Sequence, residues 1–201
     1  MLKRIRGRSF VVVIGIGCFA LFLRLFLLDK IPAGISHDEL DYVFNAKAVY
    51  LTGSDVTGTW NPLSLTTPPY EVPKAELPYL FIAPFIGPFN FSLFAARLPF
   101  VIANLLLILV IVAIAKKLFD SKTAIIAGLL MSINPWNIYF SRTSYDTPLA
   151  VLFYYVGMLL VLSLSGWPIL LAVPFFAVAF FSYIGTKLVI VPLSTILLSY
   201  V

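Results

Sequence analysis

Three carboxylates (Asp38, Glu39 and Asp146) and three cations (Lys74, Arg97 and Arg142) are the residues with the clearest chemical potential. A carboxylate beside a hydroxyl can act as a general base. Arg and Lys hold phosphate through charge-assisted hydrogen bonds, and helix N-termini favour anions. Together these groups would make a site for a phosphate and a proton acceptor. Each also has a plainer reading. Ser36-x-x-Glu39 is a capping box, in which the carboxylate returns to the Ser36 N–H. Asp38, in the first turn of the same helix, can serve the helix dipole. Arg142, four residues before Asp146, can pair with it under an aromatic belt of Trp136, Tyr139 and Tyr145. Arg97 and Arg24 can snorkel to an interface, and Lys187 is a fifth charged group at the level of Arg24, Arg97, Arg142 and Asp146. His37, the only histidine, could join Asp38 and Asp41 around a divalent metal, which the sequence permits but does not require.

The elements that position these groups follow from composition. The chain has 201 residues, 61% apolar and 11% charged, with mean hydropathy +1.00. A soluble domain carries about 25% charged residues, so this chain cannot cover a water-facing surface. Disorder and a disulfide scaffold are excluded by the apolar excess and the single cysteine, Cys18. The sequence therefore predicts an all-α, polytopic transmembrane bundle. A span needs about 20 apolar residues, and the expected spans are 9–28, 92–115, 123–140, 148–164 and 168–183, with a sixth starting near 186. That last span is still running at Val201, which suggests a single module forming the N-terminal part of a longer protein.

Charge sets the expected orientation. Lys3, Arg4, Arg6 and Arg8 precede the first span, and Lys116, Lys117 and Lys122 flank the turn after the second. These two regions hold seven basic residues against one acid, Asp120. The stretch 29–90 holds three basic residues and seven acids. The positive-inside rule places the N-terminus in the cytoplasm and 29–90 outside, so the net charge of +5 reflects topology rather than nucleic-acid binding. Within the outer loop, Leu40, Val43, Phe44, Ala48 and Leu51 at helical spacing predict an interfacial helix stopped by Gly53. Asp38, Asp41 and Asn45 fall on another face of it. Residues 56–74 read as irregular loop, and 76–89, interrupted by Pro78, Pro84 and Pro88, as a surface-lying or re-entrant segment.

Several stretches then line up with a known class. Arg24-Leu25 and Pro32-x-Gly34-Ile35-x-His37-Asp38-Glu39 resemble the start of the GT-C integral-membrane glycosyltransferases, in the branch of protein O-mannosyltransferases and aminoarabinose transferases. Lys74-Ala75-Glu76-Leu77-Pro78-Tyr79 is similar to their Lys-Pro-Pro-Leu-x-Tyr stretch, with Ala75-Glu76 as the departure. Arg97-Leu98-Pro99 resembles the opening of their second helix, and Asn134-Pro135 through Arg142 and Asp146 their Pro…Ser-Arg…Asp segment. The resemblance implies transfer of a sugar from a polyprenyl-phosphate donor to a hydroxyl of a protein, lipid or glycan acceptor, with inversion, at the outer face of the plasma membrane. It implies Asp38 as base or acceptor-orienting acid, Glu39 as its support, and Asp146 as the second acid. Lys74, Arg142 and Arg97 would be the donor-phosphate ligands. The rival class is a transporter fragment or a non-catalytic membrane subunit. Transporters place ionisable groups near the bilayer midplane, whereas here most of the charge lies toward the outer rim.

Overall fold

A computed structural model describes the backbone of residues 2–66, 68–69, 74–88 and 90–199, and the side chains of these from residue 11 to residue 196. The side chains of Lys3, Arg4, Arg6 and Arg8, which carry half of the orientation argument, lie outside the described residues. All regular structure among the described residues is helical: α1 Leu2–Leu25, α2 His37–Thr52, α3 Pro78–Ile86, α4 Leu93–Leu118, α5 Ser121–Ile133, α6 Pro135–Ser141, α7 Thr147–Ser163, α8 Val173–Ser182 and α9 Thr186–Ser199. Short 3₁₀ turns cover Pro62–Ser64 and Trp167–Ala172. The fold is a helical membrane bundle.

α4 is, among the described helices, the one long and apolar enough to cross a bilayer alone. Its 26 residues extend about 39 Å at 1.5 Å per residue. Two expected spans prove to be composite. The one read as continuous over 123–140 ends at Ile133, because Asn134 turns out of the helix at φ −61°, ψ 121° and caps α6 by accepting from the Asn137 N–H, with Pro135 opening that helix. Proline has no N–H and cannot continue the α5 ladder. The one read over 168–183 begins as the 3₁₀ turn and becomes α-helical only at Val173.

The carbonyls released by the α5–α6 break are met inside the bundle. Arg24, fully buried on α1, donates to the Ser132 and Met131 carbonyls at 3.1 and 3.4 Å, to its own Ala20 carbonyl at 3.0 Å, and to Asn104 Oδ1 at 2.6 Å. Asn104 in turn donates to Asn137, whose amide reaches the Met131 carbonyl at 3.0 Å. Arg24 therefore does not snorkel; it ties α1, α4, α5 and α6 together. Unmet buried polar groups cost several kcal/mol each, so this network accounts for a bent segment inside the bundle.

The apolar core gathers α2 and α3 against α4 and α7. Tyr42, Val43 and Ala46 of α2, Tyr79 and Ile82 of α3, Phe100 and Leu107 of α4, and Leu149 of α7 form one buried cluster with Trp60. The expected helix at 37–52 is present, with Ser36 accepting the Glu39 N–H and Gly53 left-handed at φ 77°. Its protein-facing side is Glu39, Tyr42, Val43, Asn45, Ala46 and Val49. Phe44 and Leu51, read as part of the same stripe, instead stay exposed on the adjacent side, with Phe44 stacked on Phe91 at 6.1 Å between ring centroids. α3 is nine residues long, too short to span, and buries Tyr79, Ile82, Ala83 and Ile86 beside α2 and α4. Gly87 ends it where a Cβ would collide with the Tyr50 ring, and Lys47 donates to the Ile86 and Gly87 carbonyls.

Candidate active site

The connection from α1 to α2 has little regular structure, and two arginines hold it. Arg97, at the second turn of α4 and fully buried, grips Glu39 with both edges of its fork: Nε to Oε1 at 2.8 Å and Nη2 to Oε2 at 3.1 Å. Its remaining hydrogens reach the Leu28, Pro32 and Gly34 carbonyls at 2.9, 3.3 and 2.8 Å. Glu39 Oε1 also accepts the Ser144 N–H at 3.0 Å. Thus only half of the expected capping box forms. Ser36 caps the helix, while the Glu39 carboxylate turns inward to Arg97, because a fully buried guanidinium needs an anion more than the partly exposed Ser36 N–H needs a cap.

Arg142 is placed differently from either sequence reading. It does not pair with Asp146. It donates to the Leu23, Phe26, Leu27 and Ile31 carbonyls, the shortest contacts being 2.6 Å. Leu23 lies in the last turn of α1, and Phe26, Leu27 and Ile31 follow it, so Arg142 holds the chain where it leaves the helix and its last carbonyls lack intrahelical partners. Of the three cations assigned to a phosphate, Arg97 and Arg142 have their forks filled by protein groups.

Asp38, Lys74, Tyr42 and Asp146 form one connected group. Lys74 forms an ion pair with Asp38; the lysine side chain is 10% exposed and the aspartate 50%. The same ammonium stands 5.6 Å from the centre of the Tyr42 ring. The Tyr42 hydroxyl donates to Asp146 Oδ2 at 2.7 Å. Asp146 directly precedes α7, with Thr147 rather than Asp146 expected at the cap; the helix starts one residue earlier than expected. Burial raises the Asp146 carboxyl above its ordinary range, an effect that the Tyr42 hydrogen bond opposes. The Tyr42 hydroxyl is pushed up by burial and then by the Asp146 charge, so it remains a donor. Asp41, one turn on, accepts from Tyr79 at 3.2 Å and from Asn45 at 3.0 Å. Burial raises its carboxyl too, against the charge of Lys74. No three His, Cys, Asp or Glu side chains gather as metal ligands among the described residues, so His37, Asp38 and Asp41 do not form the metal set considered from sequence.

Tyr42 was not singled out from sequence, although its position four residues after Asp38 places it on a neighbouring face. Asn104 had a clearer signal, a lone amide in the apolar run that follows Arg97 in α4. The aromatic belt forms as a cluster in which Phe140 contacts Trp136, Tyr139 and Tyr145, with centroids 4.6, 5.3 and 5.7 Å apart.

Residues 74–200 match the dolichyl-phosphate-mannose-protein mannosyltransferase family. The chain belongs to that family. No curated protein and no solved structure matches it. Within this mannosyltransferase-family chain the matched stretch includes Lys74, Arg97, Arg142 and Asp146, while Asp38 and Glu39 precede it. The match agrees with the GT-C resemblance read from the motifs. It also fits an integral membrane protein and argues against the transporter alternative.

Proposed function

We propose that the protein transfers a sugar from a polyprenyl-phosphate donor to the hydroxyl of a protein, lipid or glycan acceptor, with inversion, at the outer face of the plasma membrane, with its N-terminus in the cytoplasm. The observation that carries this reading is the ion pair between half-exposed Asp38 and largely buried Lys74. A phosphate arriving at Lys74 competes with Asp38 for the ammonium. The donor therefore releases the carboxylate that the acceptor hydroxyl needs. The acceptor oxygen then bonds to the anomeric carbon, the bond from that carbon to the phosphate oxygen breaks, and the hydroxyl proton passes to Asp38. The electron pair leaves with polyprenyl phosphate, whose charge Lys74 holds. Attack opposite the leaving phosphate inverts the anomeric centre. Asp146, with its carboxylate oriented by Tyr42, serves as the second acid of the site. Glu39 supports Asp38 from behind by fixing the start of α2 to Arg97. Arg97 and Arg142 contribute by holding the loop that presents Asp38, and Lys74 is the direct phosphate ligand.

The test is reconstitution of the full-length protein with a panel of polyprenyl-phosphate sugars and hydroxyl acceptors. Transfer from one of these donors with inverted anomeric configuration, seen by NMR of the product, is the expected result. Absence of transfer from every lipid-phosphate sugar, alongside transfer from a nucleotide sugar, would remove the reading.

A further inference from the structure

We infer that Glu76 and Lys187 act together as a positioning pair that sets Lys74 against the donor phosphate, an inference that rests on the reading of Lys74 as the phosphate ligand. Lys74 sits on a short strap outside any helix, residues 74–77, that leads into α3. Two residues on, Glu76 is fully buried and forms an ion pair with Lys187 in the first turn of α9. The Glu76 and Leu77 N–H groups both donate to the Phe181 carbonyl, at 3.1 and 3.0 Å. That carbonyl belongs to the last turn of α8, where intrahelical partners run out. Lys187 also stands over the rings of Phe180 and Phe181, 5.8 and 5.7 Å from their centres. The strap is thus fixed to the α8–α9 junction by one shared carbonyl and one charge pair. In the Lys-Pro-Pro stretch it resembles, proline rings would fix the backbone but supply no N–H. Ala75-Glu76 keeps the N–H and gains its stiffness from Lys187.

Removing both charges at once avoids stranding a buried ion. The experiment measures equilibrium binding of radiolabelled farnesyl monophosphate to the full-length protein in detergent, with melting temperature followed in parallel. The variants are Lys74→Met, the double variant Glu76→Gln/Lys187→Met, and the triple variant. The double variant is expected to weaken binding about tenfold, the order of one charge-assisted hydrogen bond, at an unchanged melting temperature. The triple variant is expected to bind no worse than Lys74→Met alone, because the pair acts only through Lys74. Wild-type affinity in the double variant overturns the inference while leaving Lys74 in place. A triple variant weaker than Lys74→Met also overturns it, showing that Lys187 reaches the phosphate itself. Undiminished binding in Lys74→Met instead refutes the phosphate reading on which the pair depends. If the double variant fails to fold, Glu76→Gln alone, which leaves Lys187 partly exposed to solvent, carries the same comparison.

Discussion

Asp38 keeps half its side chain in the open beside Lys74, whereas the next residue, Glu39, is closed in between Arg97 and the Ser144 N–H. The same class of substitution should therefore act through different quantities. Asp38→Asn removes a proton acceptor from an exposed position. It should lower turnover about 10²-fold or more per folded molecule, with a smaller loss of melting temperature than at Glu39, because Lys74 keeps the Tyr42 ring beside it. Glu39→Gln leaves the fully buried Arg97 without its anion, which costs about 3–5 kcal/mol, so the expected loss is in thermal stability and folded yield. Equal turnover in Asp38→Asn and wild type would move the base to another carboxylate, Asp41 being nearest. Asp146 gives a pH signature. Burial raises its carboxyl above 3.8, so the folded protein holds that proton more tightly than the unfolded chain. Stability then falls as pH rises from 3.8 toward the raised value and levels off beyond it. Asp146→Asn has no such proton. Melting curves across that interval should show wild type losing ground to the variant as pH rises, and parallel curves would place Asp146 in a more solvated setting.

The helices were legible from sequence to different degrees, and the failures share a cause. α2, α4 and α7 stand close to where their periodicity or apolar runs placed them, because each run is bounded by Ser36, Ser92 or Pro148. The spans through 123–140 and 168–183 were read as continuous because apolarity alone ignores Pro135 and the turn at Trp167–Ala172. The site was legible as a set of residue types, but not as a set of partners. Nothing in the spacing says that Arg142 would close α1 and Arg97 would grip Glu39, since those contacts join positions 58–119 residues apart. The element-scale predictions test those roles. Arg142→Ala strips donors from the end of α1 and should cost about 2–3 kcal/mol, read as a lower melting temperature. Farnesyl monophosphate affinity in the folded fraction should be unchanged; a large loss of that affinity would return Arg142 to the phosphate. Gly87→Ala pushes a Cβ into Tyr50, and should loosen the α2–α3 packing by about 1–3 kcal/mol. A melting temperature equal to wild type would show that both Tyr50, half exposed, and the backbone beside the Ala83 carbonyl give way.

For the molecule as a whole, orientation is the property that every role at the site depends on. Thr57 and Ser121 are both exposed and lie on opposite sides of α4 in the chain. Single cysteines there, in a Cys18→Ala background, should separate cleanly when intact cells meet an impermeant thiol reagent. Thr57→Cys is expected to label and Ser121→Cys to stay protected; the reverse pattern would turn the protein over and bring the Asp38 site to the cytoplasmic side. The network around Arg24 bears on a different matter, the order in which the chain is assembled. Its partners Asn104 and the Ser132 carbonyl arrive 80 and 108 residues later. Arg24 stands in the last turn of α1, and until those partners arrive its guanidinium has only the Ala20 carbonyl of its own helix to meet among these contacts. α1 is therefore expected to complete its packing only once α4, α5 and α6 have joined it. Nascent chains stopped before Asn104 should be cleared by membrane quality control faster than the same chains carrying Arg24→Leu, and that difference should vanish once synthesis has passed α6.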